Sequence, residues 1–176
     1  MLFPVNHVIR PASVTTEGTY GSLPWTASTG EDRYRRSLYT FAKRTAPFAF
    51  TATFDAPAGD ACIVRRDRSN TPLQALSLLN DVTIMEAAAA FGEKLAARPG
   101  PPAETLTFAF QNCFSRAPDA QESAALLAFH KKQFAGFTAN PEAARALCGK
   151  EATPALAAWT LVARALFNLD EFITKS

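Results

Sequence analysis

Apolar residues recur at helical spacing along most of the chain, and polar, proline-bearing breaks cut the pattern into segments. Tyr34, Leu38 and Phe41 stand at i, i+4 and i+7, which predicts a first helix over 31–45 with one inward stripe. Arg33, Arg36 and Lys43 lie largely off that stripe, and Pro47 ends the segment. A second helix has a marked start: Thr71 caps it, Pro72 takes the first helical position and Gln74 completes a capping box. Leu73, Leu76, Leu79, Val82, Met85 and Ala89 give it a broad apolar surface, and it either runs on to Arg98 or breaks at Asn80 and Asp81. After the connector 98–102, a helix over 103–115 turns Leu106, Phe110 and Cys113 inward. Pro118 and Asp119 start the next, which carries Leu126, Leu127, Phe129, His130, Phe134 and Phe137. Asn140, Pro141 and Glu142 begin a short helix ending at Cys148. Thr153 and Pro154 open the last, with Leu156, Trp159, Val162, Leu166, Phe167 and Leu169 available to a core. Short connectors make this half an antiparallel helical assembly.

Two stretches lack that period. Residues 1–30 are rich in Ser, Thr, Gly and Pro and read as an irregular arm, with Tyr20 and Trp25 as possible anchors. In the segment 46–69, Phe48, Phe50 and Phe54 fall at two- and four-residue spacing, so a coil or short strand is expected there, followed by turn chemistry at Asp55 and Pro57. The expected architecture is therefore mainly α: an arm over 1–30 and a single, bundle-like helical domain over 31–176.

Composition narrows the function classes. A chain of 176 residues, 48% of them hydrophobic, is long enough for one domain with a real core. Its formal net charge of +2 argues against nucleic acid as partner, and no phosphate-binding loop, zinc finger or recognition-helix motif accompanies its arginines. Cys62, Cys113 and Cys148 are far apart and odd in number, which favours buried free thiols over a disulfide framework. With His7 and His130 as the only histidines, no metal centre is expected, and no cofactor. The opening ten residues are too short and too polar for a signal peptide, and no apolar run approaches the length of a membrane span.

The unusual stretch is 30–81, where GEDRYRRSLYTFAKRTAPF, TFDAP and CIVRRDRSNTPLQALSLLND follow one another. With the closing LAAWTLVARALFNLDEFITK, these motifs resemble the C-terminal portion of the planctomycete PSD1 domain, the DUF1553 family of unknown function. The resemblance runs from about residue 30 to 175. It implies a large secreted protein, periplasmic or extracellular, in which the domain sits beside a PSCyt2 domain and sometimes a cytochrome-c-like domain. It also implies a setting near sulfatases or polysaccharide-degrading enzymes, and no settled catalytic role. Two departures stand out. Ala42 replaces a bulky aromatic after YTF, and Val82 replaces a proline after LLND, which favours a helix running through. The family's upstream part is expected to be missing.

Candidate chemistry concentrates in the same stretch. Asp55, Asp67 and Asn70 are accompanied by Arg65, Arg66 and Arg68, with Arg36 upstream and Asn80 and Asp81 downstream. A carboxylate beside guanidinium groups is a stable charged group and a poor general acid. The favoured reading is a structural lock, Arg65 or Arg66 paired with Asp55, Asp60 or Glu31 and Asn70 capping a turn. Such a cluster also suits an anionic glycan or an acidic partner. Tyr20, Trp25 and Tyr39 are the available sugar platforms. Ser37 and Ser77 lack a nucleophile elbow, and His130 lacks triad partners, so no catalytic residue is assigned. The expected function is a non-catalytic accessory or interaction module of a secreted, cytochrome-associated system. The alternative is a glycan-binding or glycan-processing fragment that acts with an upstream region.

Overall fold

A computed structural model describes residues 30–34, 48–57, 62–65 and 68–174. The fold is mainly α, and the described residues contain no strand. A 3-10 turn occupies Gly30–Tyr34, at the start of the stretch expected as the first helix; residues 35–45 of that stretch lie outside the described residues, as do residues 1–29 with Tyr20 and Trp25. The helices are α1 (Ala49–Thr53), α2 (Pro72–Asn80), α3 (Val82–Ala96), α4 (Pro102–Phe114), α5 (Ala120–Ala139), α6 (Pro141–Cys148), α7 (Pro154–Phe167) and α8 (Asp170–Ile173). Two compact units share the chain, with the division after Ser77.

In the first unit, the segment expected as coil or short strand contains one helical turn, α1, followed by coil. Phe50 and Phe54 serve two patterns at once: alternation along a strand and an i, i+4 pair on a helix. The helical pairing wins, with ring centroids 4.8 Å apart. Thr51 Oγ1 donates to the Phe48 carbonyl at 2.8 Å and closes the turn. Asp55, at φ 57°, then throws the chain out of the helix. In α2, Gln74 is buried while Leu73 and Leu76 are more than half exposed, so the leucine stripe is not uniformly inward.

In the second unit, α7 is the central element and packs chiefly on α3 and α5, with α6 beside it. The core is built from Ile84, Ala88, Leu95, Leu106, Phe110, Trp159, Val162, Leu166 and other residues from the same helices. α3 and α7 approach closely because both offer small residues: Ala88, Ala157, Ala158 and Ala163 are fully buried. A Cβ placed on Gly92 would stand 2.8 Å from Thr160 Cα and N. Of the two courses open to the second helix, the break is realised. Asp81 accepts from the Thr83 and Ile84 N–H groups at 2.9 and 3.1 Å and starts α3 afresh. A proline after the break is therefore unnecessary, since a capping aspartate does the same work. Leu169, expected in the core, precedes α8 and is 40% exposed.

Candidate functional site

The loop joining α1 to α2 holds most of the candidate residues, and its base is tied by side chains. Ser69 donates to the Asp55 carboxylate from its N–H, 2.8 Å to Oδ2, and from its hydroxyl, 2.9 and 2.8 Å to the two oxygens. Gln74 Nε2 donates to the Thr53 carbonyl and to Ser69 Oγ, each at 2.9 Å, and lies 3.4 Å from Asp55 Oδ2. Its carbonyl oxygen accepts from the Thr71 N–H at 3.1 Å, and Thr71 Oγ1 accepts from the Gln74 N–H at 3.3 Å. The capping box read from the sequence thus does two jobs. It starts α2, and it holds a buried amide whose other end grips the turn after α1. Burial is affordable for Gln74 because both ends of its amide are bonded.

The clamp between Asp55 and Ser69 was not among the contacts expected of Asp55; its expected pairing with Arg66 falls on a residue outside the described ones. Arg65 and Arg68 are exposed, and neither forms an ion pair among the described residues. Beside them Ile63 is 53% exposed and Val64 is fully exposed. Cys62 is exposed rather than buried. Asn70 is exposed next to Thr71, the residue that caps α2. Asn80 is exposed at the end of α2, and Asp81 is the α3 cap. Arg36, Arg66 and Asp67 lie outside the described residues.

A second polar cluster escaped sequence reading. Arg116 Nη1 and Nη2 each donate to a Glu122 oxygen at 2.7 Å, while Nε and Nη2 donate to Glu171 at 2.9 and 2.7 Å. Glu122 also accepts from the Asp119 N–H and completes a capping box with it. Hydrogen bonding from Arg116, then from the Asp119 backbone, pulls the Glu122 carboxyl down to about 2, and Arg116 lowers Glu171 as well. Its signal was present as Asp119 and Glu122 at capping-box spacing after an arginine. The distant Glu171 could not be assigned from spacing.

Other reactive groups are quiet. Burial raises the Cys113 thiol to about 11, which disfavours a thiolate nucleophile. His130 packs at a tilt against Trp159 with ring centroids 4.2 Å apart, and burial lowers its pKa. No group of three or more His, Cys, Asp or Glu among the described residues is placed to hold a metal ion. None of the described helices is long and apolar enough to cross a membrane.

Comparison with known proteins gives one finding. The family model PSD1, described as a protein of unknown function (DUF1553), matches residues 6–130. The match begins upstream of the motifs that carried the resemblance and covers α1 to α4 and the first half of α5. No curated protein and no solved structure matches the chain.

Proposed function

The chain belongs to the PSD1 family of proteins of unknown function (DUF1553), and on that premise we propose that it is a non-catalytic interaction module whose recognition element is the loop between α1 and α2. One observation carries this reading: the loop base is clamped by Asp55, Ser69 and Gln74, while Ile63, Val64, Arg65 and Arg68 are left in solvent. A loop with its ends fastened loses less entropy when it binds. Apolar groups beside guanidinium groups suit a partner surface that is apolar and acidic. The family resemblance supports a setting in a secreted or periplasmic, cytochrome-associated system, with a neighbouring PSCyt2 domain as the partner to try first.

A second reading, an anionic glycan as ligand, draws on the exposed Arg65 and Arg68. Titration calorimetry of the full chain with a purified PSCyt2-type domain and, separately, with a sulfated polysaccharide distinguishes the two. Domain binding abolished by Val64→Asp but kept in Lys132→Ala supports the module. Polysaccharide binding that fades with salt and with Arg65→Ala/Arg68→Ala supports the glycan reading. Binding of neither probe, or binding indifferent to these substitutions, overturns the loop as a recognition element.

A further inference from the structure

Helices α7 and α8 lie in the second unit, apart from the proposed recognition loop, and one extended residue separates them. α7 ends at Phe167, and its cap Asn168 keeps near-helical angles, φ −94° and ψ −1°. Leu169 is extended, at φ −72° and ψ 140°, and α8 starts at the next residue. No helix breaker enforces this: residues 167–173 contain neither Gly nor Pro, and Leu166, Leu169 and Ile173 keep an i, i+3, i+7 spacing. The bend persists because α8 has a seat. Glu171 accepts from Arg116 Nε and Nη2 at 2.9 and 2.7 Å. Phe172 stacks on Phe167 with ring centroids 4.6 Å apart and meets the Phe114 ring edge-on at 6.4 Å.

The seat holds α8 without burying it. No residue of α8 is buried, and Leu169 and Ile173 are 40% and 37% exposed. The side chains of Arg116 and Glu171 are 38% and 40% exposed, and an ion pair so open to solvent adds little stability. The seat also keeps its form without α8, because Arg116 Nη1 and Nη2 remain bonded to Glu122 at 2.7 Å each, and Phe114 and Phe167 belong to α4 and α7. What fits it is a carboxylate followed by an aromatic ring, and the segment seen to fit is α8 itself. A second copy carries the same segment. We propose that α8 exchanges between two copies of this chain: Leu169 turns helical, α7 and α8 join, and Glu171 and Phe172 of each copy seat on Arg116, Phe114 and Phe167 of the other. The interface is isologous and keeps the contacts of the seat, which makes exchange a low-cost route to a dimer. In the joined helix Leu169 and Ile173 fall on one face with Leu166, and the second copy covers that face.

Charge exchange tests it on the full chain. Arg116→Glu gathers three carboxylates at the seat, and Glu171→Arg sets a second guanidinium group against Arg116, so each variant unseats α8 in its own copy. Mixed, each supplies the match that the other lacks: Glu171 of the first variant meets Arg116 of the second, and the two introduced residues meet each other. Light scattering after gel filtration is expected to show a monomer for each variant alone and a doubled mass for the mixture. A mixture that stays monomeric overturns the proposal, as does a variant that dimerises equally well alone. Leu169→Gly is an independent arm that leaves the seat intact. It disfavours the joined helix and lowers the dimer association constant of the otherwise unaltered chain by about fivefold per hinge. A dimer indifferent to Leu169→Gly forms elsewhere on the molecule and refutes the exchange, and so does an unaltered chain that stays monomeric at every concentration.

Discussion

At the scale of single residues, two positions carry consequences out of proportion to their size. Gly92 is where α3 meets α7, and an added Cβ would meet the Thr160 backbone as well as its hydroxyl, at 2.8 and 2.5 Å. Gly92→Ala must separate the helices and is expected to destabilise the protein by about 1–3 kcal/mol despite the better helix propensity of alanine. Thr160→Ala should fail to rescue it, because the Cα and backbone nitrogen remain in the way. Guanidinium denaturation of the single and double variants checks both statements. Asp55 acts on the loop rather than on the core. Asp55→Ala removes both bonds from Ser69 and opens the loop base, at a cost of about 1 kcal/mol. Trypsin cleavage after Arg65 and Arg68 should therefore quicken while the unfolding midpoint of the second unit stays in place. Unchanged cleavage would remove Asp55 from the role of clamp.

The helices show which signals are local and which are not. The starts of α2, α5, α6 and α7 were legible because a cap and its partner lie within four residues: Thr71 with Gln74, Asp119 with Glu122, Asn140 with the Ala143 N–H, Thr153 with the Leu156 N–H. The turn α1 was ambiguous because Phe50 and Phe54 fit two periods. The clamp of Asp55 was illegible because Ser69 is fourteen residues away. Gly92 inside a helical run was a signal of close approach that the periodic pattern hid. Arg116 joins the cap of α5 to α8 through Glu122 and Glu171, and here pH decides. Both carboxylates have folded pKa values below their ordinary value of 4.5, that of Glu122 near 2. Their contribution is thus fully present above about pH 5 and is lost as the pH falls from the ordinary carboxylate range towards 2. The melting difference between wild type and Arg116→Ala should be largest near neutrality and shrink steadily in acid. It should also be modest, because all three groups are partly exposed and salt screens them. A difference that grows in acid would contradict the clamp.

Over the whole molecule, the family match over residues 6–130 takes in part of the core, including Ile84, Leu95, Leu106 and Phe110, while Trp159, Val162 and Leu166 lie beyond it. Every buried hydrophobic residue described, from Leu78 to Phe167, belongs to the second unit, whereas the described part of the first unit buries only Gln74. Of the motifs that carried the resemblance, those over 30–81 precede nearly all of that core, whereas the closing LAAWTLVARALFNLDEFITK supplies part of it. Among the described residues, then, the second unit holds the buried apolar core and the first holds the loop. Residues 78–176 alone should then fold cooperatively, since Leu95, Leu106, Phe110, Trp159, Val162 and Leu166 all come from within that range. The experiment has a clean reporter, because Trp159 is the only tryptophan in the fragment and is 6% exposed in its fold. A blue-shifted emission and a single sharp thermal transition are expected. The fragment should melt somewhat below the full chain because the first turn of α2, with its Thr71–Gln74 cap, is lost. Red-shifted emission without a transition would mean that the second unit needs the first in order to fold, and the loop would then have to be understood as part of the scaffold.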